Sequence, residues 1–160
     1  MLLRKINKTI VQKLNLPDYS FHVKSTEKGD YILDCVRKKY VRLTPEEWVR
    51  QHFIRYLIEE KKYPKGRMAV EKALKGTAVP QRADIVVYDR QGAPDIIVEC
   101  KAPSVPITQQ VMDQAVRYHM GLSGRIICLT NGLMHVYAVL DHAGRRFRYM
   151  RELPDYVAER

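Results

Sequence analysis

Two segments of helical period and a series of short apolar runs organise this 160-residue chain. The first clear element opens at Thr44-Pro45-Glu46-Glu47, where Thr suits the N-cap, Pro the first helical position and Glu47 the return contact of a capping box. Trp48, Val49, Ile54, Leu57 and Ile58 then gather into one stripe at helical spacing, which predicts a helix over about 45–61, closed by Tyr63-Pro64-Lys65-Gly66. Beyond it the period shortens. Residues 68–74, 83–88 and 95–100 read as three strands, separated by Lys75-Gly76-Thr77 and by the turn-rich 90–94. Thr108 opens a second helix to about Leu122, stopped by Gly121 and Gly124. Strands at 125–130 and 133–140 follow around Asn131-Gly132, a two-residue hairpin signal, and 146–151 adds one more after the turn at 141–144.

Ahead of residue 44 the pattern is weaker. Residues 1–20 are basic and mixed, so an arm is expected, helical at its start. Residues 21–24 and 31–36 form a hairpin around Glu27-Lys28-Gly29-Asp30, with Arg37-Lys38-Lys39 as its basic edge. The expectation is a single domain over 1–160, made of the arm and hairpin (1–43), a core (44–140) and a C-terminal extension (141–160). The fold class is α+β (mixed α/β), a central sheet with a helix on each side.

Composition narrows the partners. Hydrophobic residues are 46% and charged residues 29%, a balance that excludes a disordered polyelectrolyte. No stretch approaches the roughly 20 apolar residues of a membrane span, and the N-terminus lacks the apolar region of a secretory signal. Three cysteines without a Cys-x-x-Cys spacing point to free thiols and a reducing compartment, so a cytoplasmic protein is expected. The formal net charge is +10, and nearly all of the excess falls within the first 80 residues, which suggests nucleic acid or another anionic partner.

The candidate chemistry lies in the balanced second half. The five histidines are scattered without a His-x-x-x-His pair, and no Gly-rich phosphate loop is present. In Ile96-Ile97-Val98-Glu99-Cys100-Lys101, by contrast, an acid and a lysine two apart share one face at the end of an apolar strand. Asp84 begins the preceding strand, and antiparallel pairing through the 89–94 turn would bring it beside Glu99 and Lys101. Two carboxylates with a backbone carbonyl, that of Cys100, suit Mg²⁺ or Mn²⁺, and Lys101 could orient a metal-activated water on a phosphodiester. On the second helix Gln110, Gln114 and Tyr118 recur every four residues, opposite Val111, Met112, Ala115 and Leu122.

Together, Arg82-Ala83-Asp84, Glu99-Cys100-Lys101 and Gln114-Ala115-Val116-Arg117-Tyr118 resemble the PD-(D/E)XK nuclease motif set with its Gln-x-x-x-Tyr extension. The resemblance is to the N-terminal nuclease domain of type I restriction enzyme R subunits, over about residues 36–140. It implies a restriction-endonuclease-like αβββαβ core and Mg²⁺-dependent DNA cleavage. Asp84 and Glu99 would be metal ligands, Lys101 the catalytic lysine, and Gln114 and Tyr118 the supporting helix pair. Glu47, on the leading helix, would be a further acid near the metal, and Glu71 a site neighbour. DNA and restriction-modification or helicase subunits are the implied partners. Ala83 stands where the family usually has Pro, while the literal Pro94-Asp95 lies at the far end of the Glu99 strand. The 160 residues hold no room for the motor that R subunits carry, so no translocation by the chain alone is expected. The alternative is a nucleic-acid-binding or partner-docking module with a vestigial nuclease site, which the basic first half would serve.

Overall fold

The computed structural model describes residues 3–6, 9–74, 81–119, 124–141, 143 and 145–158. In chain order these form β1 (Leu3–Ile6), β2 (Thr9–Gln12), β3 (Val23–Thr26), β4 (Gly29–Asp34), β5 (Lys39–Arg42), α1 (Pro45–Glu59) and a 3₁₀ turn at Lys65–Arg67. Then come β6 (Met68–Leu74), β7 (Gln81–Tyr88), β8 (Pro94–Cys100), α2 (Gln109–His119), β9 (Ile126–Thr130), β10 (His135–Asp141) and β11 (Arg146–Met150). Six strands make the central sheet in the order β11-β10-β9-β8-β7-β6. All its pairs are antiparallel except β8–β9, the parallel pair that α2 crosses over to join.

The expected α+β, restriction-endonuclease-like architecture is present, with α1 and α2 on opposite faces. Alternation along the strands explains why. From β8, Ile96, Val98 and Cys100 join Val49, Phe53, Ile54 and Leu57 of α1 in one core. On the other face Ile127 and Leu129 of β9 meet Met112 and Val116 of α2. All five residues of β9 are buried, as a central strand covered on both faces requires. Phe53, Ile54 and Leu57 have no exposed surface, so each is worth about 1.5–3 kcal/mol of burial. The N-cap is as predicted, with Thr44 Oγ1 accepting the Glu47 N–H at 3.0 Å.

Three expectations need correction. The arm does not begin as a helix: β1 and β2 pair as an antiparallel hairpin, in keeping with the β-branched Ile6, Thr9, Ile10 and Val11. Residues 37–39 are not a free edge, because β5 pairs with β4 and makes a three-stranded sheet. The β9–β10 connection is a four-residue loop, since Thr130 pairs with His135 and Asn131 Oδ1 accepts the N–H groups of Leu133 and Met134. The expected strand at 146–151 is present: β11 pairs with β10, and beyond it Leu153 is fully buried and Pro154 O accepts from the Tyr63 hydroxyl at 3.0 Å. Lys75-Gly76-Thr77, Gly121 and Leu122 lie outside the described residues.

Candidate active site

The site begins where the β7–β8 ladder ends. Pairing runs as far as Ile85 opposite Val98, which places Asp84 beside Glu99 and Cys100. Asp84 Oδ2 accepts the Cys100 N–H at 2.7 Å, so the two strand ends meet, but Asp84 does not line the cleft that Glu99 and Lys101 share. Glu99 and Lys101 share a face, as alternation requires. Both line a cleft of about 250 Å³ with Arg82, Gln114, Tyr118 and His119, while Val111, Ala115 and Leu129 form its apolar wall. Gln114 and Tyr118 are exposed toward it, whereas Gln110 of the same helix face does not line it. Among the described residues nothing pairs with the Lys101 ammonium.

Each acid is gripped by a different helix. Arg50 of α1 donates from Nη2 to Asp84 Oδ1 at 2.7 Å. The same guanidinium pairs with Glu47 on its own helix and with Glu71 of β6 at 3.7 Å. Glu71 sits at φ +50, left-handed for a residue with a side chain, between the paired Val70↔Ile85 and Lys72↔Ala83. Arg37 extends the network, contacting Glu71 at 2.7 Å, Asp34 at 2.7 Å and Glu47 at 3.1 Å. Gln51 Nε2 donates to both Asp34 and Glu47. The Glu47 carboxylate therefore belongs to an ion-pair network that reaches Asp84 through Arg50, not to a capping box.

On the opposite side of the sheet, His119 of α2 stands with Nε2 2.9 Å from Glu99 Oε1. An ionised carboxylate only accepts, so Nε2 carries the proton. The ring is completely buried, and its Nδ1 has no hydrogen-bond partner among the described residues.

Electrostatics separate Asp84 and Arg50 from ordinary surface charge. Burial pushes the Asp84 carboxyl up to about 6; Arg50 and the Cys100 N–H oppose that rise, and the nearby negative charge of Glu99 adds to it. Arg50 is held above the usual arginine range by Asp84 and Glu47 despite its own burial. The Cys100 thiol is pushed well up by complete burial, which makes it core and no nucleophile.

The chemistry of these donors, taken singly, is of the kind a divalent cation uses. Asp84, Glu99 and a strand-end carbonyl are hard oxygens, and Asp84 carries buried negative charge that Arg50 only partly offsets. Among the described residues no group of three His, Cys, Asp or Glu side chains is arranged to hold a metal alone. Mg²⁺ commonly takes one or two carboxylates and fills its remaining positions with water and substrate phosphate.

Sequence reasoning missed three contributors to the site: Arg50, Arg82 and His119. Arg50 falls one turn after Glu47 and one turn before Ile54, among buried helix positions where a charge must be paired. His119 continues the Met112 and Val116 stripe by three residues, directly after Tyr118. Nothing in the pattern marked Arg82 beyond its place next to Ala83-Asp84. Conversely, Asp95 pairs with Arg125 at 2.8 Å at the start of β8, which leaves the literal Pro-Asp outside this constellation.

The sheet order, the two flanking helices and the acid-x-Lys strand end define a domain of restriction-endonuclease-like architecture. The chain belongs to the type I restriction enzyme R protein N terminus family, whose model matches residues 45–154. It is also similar, at 22% identity and a TM-score of 0.47, to the fragment structure of a protein assigned as an HsdR subunit of a type I restriction enzyme from Vibrio vulnificus YJ016. That likeness covers 71% of this chain and 24% of the other, so the chain spans about a quarter of that protein's length. No curated protein matches the chain. Family membership gives a nuclease-like domain of restriction systems. Among the described residues no helix is long and apolar enough to cross a membrane.

Proposed function

We propose that the chain is a divalent-metal-dependent DNA endonuclease domain that hydrolyses phosphodiester bonds in the cleft between β8 and α2. The reading rests above all on one arrangement: Glu99 and Lys101 open side by side on the cleft bearing Gln114 and Tyr118, with Asp84 held on the intervening Cys100 amide. In this reading Asp84, Glu99 and the Cys100 carbonyl hold Mg²⁺ or Mn²⁺, with Glu47 reaching them only through Arg50. The bound cation would supply an activated water and stabilise charge developing on the phosphate. The protein's own part is positional. His119 directs the Glu99 carboxylate, Lys101 presents a cation to the attacking water or the phosphate oxygens, and Gln114 and Tyr118 offer an amide and a phenol to the substrate backbone.

A second reading is favoured by the Arg50 contact. A guanidinium already on Asp84 offsets part of the charge that a metal would neutralise, as expected of a binding or docking module whose nuclease site is vestigial. Supercoiled plasmid incubated with Mg²⁺ or Mn²⁺ separates the two. Nicking by the wild type that is lost in Asp84→Ala, Glu99→Ala and Lys101→Ala supports cleavage, whereas absent nicking, or equal nicking by wild type and variants, overturns it.

A further inference from the structure

The outward face of the β3–β4–β5 sheet carries charge that neither the cleft nor the Arg37–Arg50 network uses. Its inner face is fixed by Ile32, which is fully buried, with Val23 and Val41 packed on the same core as α1. Alternation then sends Lys24, Tyr31 and Arg42, which form one cross-strand row, to the other face, with Tyr40 in the next row. Their side chains converge. The Lys24 ammonium stands 4.1 Å from the centre of the Tyr40 ring, which is 39% exposed. The Arg42 guanidinium lies across Gly29, 3.6 Å from where a Cβ would stand.

A shallow hollow of about 440 Å³ opens between Lys24, Thr26, Glu27, Lys28, Tyr31 and Tyr40. Glu27 is the one acid in that lining, and no ion pair among the described residues neutralises Lys24, Lys28 or Arg42. This contrasts with Arg37, Arg50 and Lys61, each of which is paired with an acid of the chain. The sheet also precedes residue 45, where the family match begins, so the family likeness does not account for it.

We propose that this face binds an unpaired stretch of a DNA strand, its phosphates on Lys24, Lys28 and Arg42 and a base against Tyr31 or Tyr40. Cations set around exposed aromatic rings suit a polymer that repeats one negative charge and one flat π-face per unit, and stacking of this kind tolerates any base. An acidic protein segment would supply the charge without the rings' counterpart. The choice of DNA as the polymer rests on the cleavage reading; the face itself does not.

The experiment is fluorescence anisotropy of a labelled single-stranded oligonucleotide with the full chain in EDTA, so that no cleavage intervenes. Lys24→Gln/Lys28→Gln is expected to weaken binding at least tenfold and to lower the salt slope by about 1.4, at about 0.7 per phosphate contact on a single strand. Tyr40→Leu, which keeps an apolar side chain on the strand, is expected to weaken it about tenfold. Lys72→Gln, which removes one charge of the same kind at an exposed position of β6, should alter it less than twofold. Absence of single-strand binding by the wild type at low salt, or equal binding by the sheet variants and Lys72→Gln, overturns the proposal. A wild type that binds with this pattern yet never nicks plasmid refutes the cleavage reading and leaves this one standing.

Discussion

Replacing Arg50 with Met should cost about 3 kcal/mol at pH 8 and little at pH 4.5. The Arg50 side chain is 5% exposed, so its charge is compensated by protein and hardly by water. Of its four partners, Glu46 and Glu71 are 46% and 36% exposed and would be rehydrated. Glu47 is buried but retains Arg37 and Gln51. The loss therefore concentrates on Asp84, 16% exposed, which would keep only the Cys100 N–H. Breaking a buried pair on one side typically costs about 3–5 kcal/mol, and Asp84's residual exposure argues for the low end. At about 2–4 °C per kcal/mol for a chain of this size, the melting temperature should fall by about 6–12 °C.

The pH dependence follows from the sign of the shift. Asp84 is already raised above its unfolded value, and without Arg50 it would climb further, so stability is lost as pH rises from about 4 through the new folded value. Thermal melts at pH 4.5 and 8 measure this directly, and adding Asp84→Asn to Arg50→Met should recover at least half of the pH 8 loss. A deficit equal at both pH values, or below about 2 °C at pH 8, would refute the assignment of Arg50 as the counter-charge of Asp84.

Asp84→Asn alone should remove the fall in stability that the raised Asp84 carboxyl causes between about pH 4 and 6; urea titrations showing the same fall in the variant would refute this. His52, buried against Trp48, Phe21 and Tyr19, is pushed down to about 4 by burial, so it contributes about 3 kcal/mol above its unfolded pKa that is lost as pH falls from about 6.5 to 4. Its Nδ1–H donates to Trp48 O at 2.9 Å, and His52→Gln should flatten that acid limb of the urea midpoint. His119→Ala should raise the Mg²⁺ needed for half-maximal nicking about 10- to 100-fold, with recovery in His119→Gln, whose amide can replace the Nε2 donor; a lowered rate at unchanged metal demand would remove the positioning role. Gly132→Ala should cost about 1–3 kcal/mol, since Gly132 sits at φ +81 and the added Cβ would stand 2.7 Å from Leu14 Cδ2; an unchanged urea midpoint would contradict this.

Legibility in the sequence followed the range of the interactions. The helix from Pro45 and strands β6 to β11 were readable because each repeats a short-range pattern of caps, turns and alternation. Glu99 and Lys101 on one face of β8 is likewise a two-residue fact. Asp84 required only one further assumption, that a short turn joins antiparallel neighbours, and β7–β8 pairing satisfies it. Lys39–Arg42 escaped because its four residues carry three charges or hydroxyls and one valine, and only pairing with β4 makes them a strand. The roles of Arg50 and His119 were invisible for a different reason: each depends on a partner 34 or 20 residues away, across a helix–sheet contact that no periodicity encodes.

The distribution of positive charge is where sequence and structure differ most usefully. Counted along the chain, Arg37, Arg50 and Lys61 look like members of one basic half suited to an anionic partner. In the fold Arg37 and Arg50 neutralise Asp34, Glu47, Glu71 and Asp84, while Lys61 ties Asp155 at 3.1 Å and is 9% exposed. These cations hold the scaffold together and contribute little to the external field, since paired charges cancel at a distance. Among the cations that the fold leaves without a described acid partner are Arg82 and Lys101 in the cleft and the Lys24, Lys28 and Arg42 group on the outer sheet face. Net charge thus overstates the binding surface, and the decisive quantity is the number of cations that folding leaves without an acid. Two of the places where such cations gather differ in their acids: the cleft also carries Glu99, whereas the hollow on the outer sheet face has Glu27 as its one lining acid.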